Sequence, residues 1–419
     1  MSNDNSKGLL KKILLALSAV GPGLFLIGYN IGTGSIVTMA KSGAEHGMAL
    51  FWALILSCIF TYVLMVAYGK VTIVTDRTAL SNIRHTFTQY NIGYILALYI
   101  LIALCIGELL ALIGIMGIVT ELLQEGMRLT FGGQVVSTLW ITIVLVIGLY
   151  YVFWRGDYKI FEKILTVFVI LMAICFVVVF FMVRPDYSVI VQGMVPRIPN
   201  VPGAMSLVAA MAGTTVSAAV FIIRSTVVAE KGWTIKDLKG ERKDAAVSAG
   251  MMLFLSTVVM AVAAGTLHVM GMTLDDTVEL IQLFEPLGGE VAAFILILGI
   301  SAAGLSTVFP IILIAPWLVS DFWDLPRDVK SPMFRTLGLI GILFAFSTQF
   351  LEERPPAVMI FSQAFQAFIL PAVVVPIMIL INREETMGKY TARPRMNVML
   401  GATLLFSLMT AYFSFADLI

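Results

Sequence analysis

Apolar runs long enough to cross a bilayer recur along the whole of this chain. One of them, ILALYILIALCIGELLALIGIMGIVTELL (residues 95–123), holds no lysine or arginine. It far exceeds the ~18 residues that mark a membrane-spanning helix. A chain with many such runs cannot bury them all in one water-soluble core. Lipid in turn gives the backbone no hydrogen-bond partners, so helices that satisfy themselves are the form such runs take. Composition agrees: 59% of the 419 residues are hydrophobic and 13% are charged, against roughly 25% charged in soluble domains. The fold class expected is an all-α polytopic membrane protein.

Eleven candidate spans centre on residues 12–43, 48–74, 91–123, 133–153, 160–183, 202–230, 244–271, 289–321, 334–350, 356–382 and 396–418. Connections are short, which predicts one transmembrane domain over 1–419 with no linker. The opening MSNDNSKGLLKKILLALSAVGPGLF has basic residues ahead of an apolar stretch. It lacks a small-residue cleavage site followed by a soluble domain, so it reads as the start of the first span. Lys7, Lys12, Lys70, Arg155, Lys239, Arg242, Arg327, Lys389 and Arg393 are among the many basic residues on one side of this topology. Only Lys41, Arg128, Arg184, Arg197 and Arg354 fall on the other. Basic residues accumulate in cytoplasmic loops. The expectation is a multi-pass plasma-membrane protein with its N-terminus in the cytoplasm and its C-terminus outside.

The formal net charge of +1 gives no case for a nucleic-acid partner. Cys58, Cys105 and Cys175 lie in apolar runs without zinc or disulfide spacing, and His46, His85 and His268 are too far apart for a local metal pair. No Walker motif is present. Neither a cofactor nor catalysis is expected, and any transport would draw on an ion gradient, of protons or Na⁺. The partners expected are a small solute or ion and the lipid bilayer.

Two spans carry an irregularity at comparable depth. The first contains Gly32-Thr33-Gly34-Ser35, and the sixth contains Gly213, Thr214, Thr215 and Ser217 within AAMAGTTVSAAVF. Small residues in membrane helices often serve close packing. Matching interruptions five spans apart instead suggest two inverted five-helix repeats, over about 12–183 and 202–382, with an extra helix over about 396–418. Broken helices in paired repeats mark the central site of many transporters.

The sequence also resembles a known family. AVGPGLFLIGYN, SGAEHGMALFW, YGKVTIVTDRTALSNIRHTF, VRPDY with GMVPRIP, FEPLGGEVAAFILILGISAAGLSTVFP, FSQAFQAFILP and NREETMGKYTARPRMN follow one another in the order seen in the NRAMP family of proton-coupled divalent-metal transporters. That resemblance implies the LeuT-type five-plus-five inverted repeat and a secondary transporter working by alternating access. It also implies a site between spans 1, 6 and 10. The residues at that site depart from the family. Its Asp-Pro-Gly-Asn falls on Gly32, Thr33, Gly34 and Ser35, its Met-Pro-His on Ser217, Ala218 and Ala219, and a further histidine on Arg224. An aspartate of span 3 becomes Cys105, whereas a neighbouring glutamate is kept as Glu108 and the span 10 glutamine as Gln363.

Those departures matter physically. Mn²⁺ or Fe²⁺ giving up water needs strong donors in return, and none of the usual family metal ligands remains at the two breaks. Mg²⁺, which keeps much of its hydration, asks less of a site. The reading is therefore an NRAMP-like transporter of a divalent cation, more suited to Mg²⁺ than to Mn²⁺ or Fe²⁺. Two alternatives stay open. IGTGSI also resembles the span 1 break of amino-acid permeases, where a Gly-x-Gly backbone holds a carboxylate at a helix N-terminus, so the cargo would be a small organic solute. The other alternative is a non-transporting, receptor-like relative. The candidate binding residues are Asn30, Gly32, Thr33, Gly34, Ser35, Thr214, Ser217 and Gln363. Glu108 is the candidate proton or ion relay, because intramembrane carboxylates are costly without a function. Arg224 joins it, paired either with Glu108 or with an internal acid, or reaching to the interface.

Overall fold

The computed structural model describes residues 32–416 apart from 88–90, 133–135, 156–157, 184–186, 283–284 and 352. Among the described residues the structure is almost wholly helical and has no strand. The principal helices are α1 (Thr33–His46), α2 (Phe51–Thr75), α3 (Ala79–Thr86), α4 (Ile92–Phe131), α5 (Thr138–Arg155), α6 (Tyr158–Val183) and α7 (Ala204–Thr215). They continue as α8 (Ala218–Glu230), α9 (Leu238–Gly265), α10 (Glu285–Trp323), α11 (Pro332–Leu343), α12 (Pro355–Leu380) and α13 (Pro394–Ala416). Eight described segments are long and apolar enough to cross a membrane: α2, α4, α5, α7 with α8, α9, α10, α12 and α13. The segment expected to span at 334–350 is α11 followed by 3₁₀ turns over Phe344–Gln349. Of the first expected span, residues 12–31 lie outside the described residues, and with them Asn30.

The outer surface confirms the class. Ile95, Trp140, Ile147 and Leu405 are large apolar side chains left more than 60% exposed. A soluble protein rarely leaves so many large apolar side chains in water, whereas acyl chains are their natural neighbour. The chain is a multi-pass membrane protein.

Inside the bundle, α7 and α8 are buried along nearly their whole length. They pack against α2 and α12, with α1 beside α7, while α9 lies along α1 and α2, and α10 along α4 and α6. The sixth span breaks between these two helices. The run Thr214-Thr215-Val216 is β-branched and holds a helix weakly. Val216 departs to φ −101°, ψ 43° and Ser217 to φ −59°, ψ 131° before α8 begins. A helix end leaves carbonyls without partners, and in a dry interior each unmet group costs about 1–3 kcal/mol. The Thr61 hydroxyl of α2 meets one of them, donating to the Thr215 carbonyl at 2.7 Å.

The glycines read as part of the breaks do something different. Gly213 and Gly34 both lie within regular helix. A Cβ on Gly213 would overlap the Gln363 carbonyl, so this glycine lets the backbones of α7 and α12 touch. Only Gly32 stands at a helix boundary, as the extended residue before α1 at φ −87°, ψ −172°.

Candidate functional site

The start of α1 and the α7–α8 break meet α4, α10 and α12 around a cavity of about 30 Å³. A water needs at least ~10–15 Å³ of such space, so there is room for a bare ion with a water or two. Pockets for organic ligands run to ~300–1,000 Å³. Every residue lining the cavity is buried.

Its polar lining comes from five helices and the break. Ser35 belongs to α1, Glu108 to α4, Thr214 to α7, Thr307 to α10, and Gln363 and Gln366 to α12, with Ser217 at the break. Three of these form a chain of hydrogen bonds. The Gln366 amide donates to Glu108 at 2.6 Å, and its carbonyl oxygen accepts from the Ser217 hydroxyl at 3.4 Å. The Ser35 hydroxyl shares a hydrogen bond of 3.3 Å with Ser256 of α9. The Gln363 amide nitrogen lies 3.3 Å from the Ser362 hydroxyl and 3.4 Å from the Met359 sulfur.

The sequence-derived candidates therefore divide. Gly32, Gly34, Ser35, Thr214, Ser217, Gln363 and Glu108 converge on one cavity. Thr33 does not line it. Its buried hydroxyl has no hydrogen-bond partner and faces Gly304 of α10, where an added Cβ would sit 2.6 Å away. Arg224 is also elsewhere. It is fully buried, with its guanidinium on Glu241 at 3.1 Å and on Asp244, both in α9, and 5.9 Å from the Trp233 ring. Neither a Glu108 pairing nor an escape to the interface describes it: this arginine pins α8 to α9 through two internal acids.

Three residues at or beside the cavity escaped sequence reasoning. Gln366 carried a signal, since it lies one turn beyond Gln363 on the same helix face. Thr307 and Ser256 carried none, because only the tertiary fold brings α10 and α9 to α1.

A sequence model of the Nramp family, described as natural resistance-associated macrophage protein-like, matches residues 23–417. The chain belongs to the Nramp family. Among its relatives, the divalent metal cation transporter MntH of Bradyrhizobium diazoefficiens is 25% identical over 392 residues, covering 90% of this chain and 84% of that one. The protein of the same name from Klebsiella pneumoniae strain 342 is 25% identical over 398 residues, 92% and 90% of the two chains. A crystal structure of the Eremococcus coleocola manganese transporter, in complex with an aromatic bis-isothiourea compound, superposes with a TM-score of 0.70 at 17% identity. That match covers 94% of this chain and 85% of the other. MhsT in complex with L-phenylalanine gives 0.62 at 14% identity over 96% and 98%. These likenesses fix the fold as the LeuT type.

In this Nramp protein the sixth span is broken between α7 and α8 beside the cavity. Among the described residues no three His, Cys, Asp or Glu side chains gather to hold a metal. One carboxylate remains at the cavity, with two carboxamides and four hydroxyls. The space that an aspartate at position 32 would enter is already filled. A Cβ there would overlap the Thr307 hydroxyl and come within 2.8 Å of the Thr307 Cβ. The absence of a side chain at Gly32 and the placement of Thr307 thus belong to one packing solution.

Proposed function

We propose that this Nramp protein is a secondary transporter that carries a divalent cation by alternating access, and that the ion rests in the buried cavity beside Glu108. The observation that carries the reading is a single buried carboxylate facing a water-sized space at a helix break. Its likeness to divalent metal cation and manganese transporters supports the cargo class.

The local charge supports a cation as well. Each helix end carries roughly half an elementary charge. The N-terminal ends of α1 and α8 together oppose Glu108, and the C-terminal end of α7 leaves the site negative by roughly half a charge. Ser35, Thr214, Ser217 and Gln363 supply neutral oxygen atoms, Glu108 is the charged ligand and relay, and no thioether, thiolate or imidazole lines the cavity. An all-oxygen set suits a hard divalent ion, Mg²⁺ or Mn²⁺, over a softer one. A cavity of about 30 Å³ is too small for an ion with a full hydration shell, so an ion resting there has shed water. The basic side of the topology faces the cytoplasm.

Reconstituted liposomes test this. Inward Mg²⁺ flux, saturable and lowered at least tenfold by Glu108→Gln, is the expected result. Chelator-insensitive binding of an amino acid or carboxylate, with no cation flux, would replace the cation by an organic solute.

A further inference from the structure

Away from the central cavity, a groove of about 900 Å³ opens between α2, the start of α9 and the segment leading into α13. Its rim holds five basic residues brought together from distant parts of the chain: Lys70, Arg242, Lys389, Arg393 and Arg395. Among the described residues no acidic side chain lines it and none of the five is ion-paired. Lys70 donates to the Thr391 carbonyl at 3.2 Å, and the Lys389 ammonium lies 5.4 Å from the Tyr390 ring centroid, so two of the five are oriented by neutral partners.

Below this rim the groove turns apolar. Ile59, Tyr62, Val63 and Val66 follow one face of α2, and Met396 and Met399 face them from α13. The helices also touch through Phe60 and Phe406, whose ring centroids are 5.1 Å apart. The order along α2 is decisive. Its charged end, Lys70, lies near the helix terminus, whereas Ile59 lies about 16 Å deeper at ~1.5 Å per residue. A cationic mouth at the interface above an apolar trough in the hydrocarbon has the polarity of an anionic lipid.

We infer that this groove binds one anionic phospholipid, its phosphate held by Lys70, Arg393 and Arg395 and an acyl chain lying between α2 and α13. Positive charge gathers on cytoplasmic loops of membrane proteins in general. That rule does not account for basic residues from three segments facing one trough without a carboxylate among them. Basic pockets between membrane helices on that side are suited to such head groups.

Native mass spectrometry of the full chain in neutral detergent, titrated with phosphatidylglycerol, cardiolipin or phosphatidylcholine, tests the inference. The expected result is retention of one anionic lipid at least tenfold over phosphatidylcholine. Lys70→Gln with Arg393→Gln and Arg395→Gln should lower that preference roughly tenfold, each charge being worth about fivefold at most in isolation. Lys330→Gln, an exposed basic residue outside the groove, should leave it unchanged. Should the triple variant fail to fold, Ile59→Trp fills the trough with every charge intact and is expected to expel the lipid as well. Equal retention of anionic and neutral lipid, or full retention in either groove variant, overturns the inference. So does displacement of the lipid by millimolar inorganic phosphate, which would assign the rim to a free anion.

Discussion

Replacing Gly32 by aspartate puts back the charge that the family motif places there, and the structure predicts that this change fails on its own. The added Cβ meets Thr307 on three atoms, with Cβ at 2.8 Å and Cγ2 at 2.9 Å in addition to the overlapping hydroxyl. A χ1 rotation moves the hydroxyl and the methyl and leaves Thr307 Cβ where it is, so a backbone must shift. Overpacking of this kind costs about 1–3 kcal/mol. Thr307→Ala does not move Cβ but removes both branches, and it sacrifices the hydroxyl's 2.9 Å bond to the Ala303 carbonyl. In the Gly32 background that loss is worth roughly 0.5–1.5 kcal/mol. In the Gly32→Asp background it is offset by relief of the hydroxyl and methyl overlaps, the Cβ contact at 2.8 Å remaining. A double-mutant cycle on thermal stability should therefore give a favourable coupling of about 1–3 kcal/mol. Calorimetric titration of the double variant should show Mn²⁺ affinity raised at least tenfold, about 1.4 kcal/mol, and the single Gly32→Asp variant should gain less. If Gly32→Asp alone is as stable as the parent and Thr307→Ala does not change its behaviour, the packing argument is wrong.

Other outcomes follow from the same geometry. Arg224→Met leaves Glu241 and Asp244 buried without their cation, and a loss of about 3–5 kcal/mol in stability should appear in thermal melts; the triple change that also neutralises both acids should recover much of it. Gly213→Ala drives a methyl into the Gln363 carbonyl, so ion uptake and stability should fall together, whereas Gly148→Ala, with open space around it, should be silent. Gln366→Leu removes the donor to Glu108 and should weaken cation flux without preventing folding, as measured by uptake against chromatographic behaviour. Outside the spans, the Lys41 ammonium donating to Asp275 at 2.7 Å holds that carboxyl below its ordinary range. Its folded value is the lower one. The bridge between α1 and the α9–α10 connection thus contributes at and above the unfolded value of about 3.9 and is lost as pH falls through the folded one. Cross-linking across that bridge should be unchanged from pH 7 to 5.

The membrane class, most span positions and an interruption of the sixth span near Gly213, Thr214, Thr215 and Ser217 were legible because each rests on local chemistry: apolar length and small polar residues at depth. The reason for the glycines was less legible. Gly213 and Gly34 looked like helix breakers and are sites where α12 comes close, since a sequence shows that a side chain is missing without showing what fills the space. Arg224 illustrates the same limit. Its charge announced a partner, but the choice between Glu108 and the α9 acids depended on how α8 is rotated. Gln366 could have been found from its spacing to Gln363. Thr307 could not, because its role depends on an absent side chain in a helix more than two hundred residues away.

The most direct trial of the central claim is an anomalous-scattering map of the protein soaked in saturating Mn²⁺, used as a heavy stand-in for a hard divalent cation. The account predicts one strong peak in the cavity, coordinated by Glu108 and by neutral oxygens from α1, the α7–α8 break or α12. An empty cavity under saturation, or a cavity filled by an organic molecule that keeps the metal out, would contradict it.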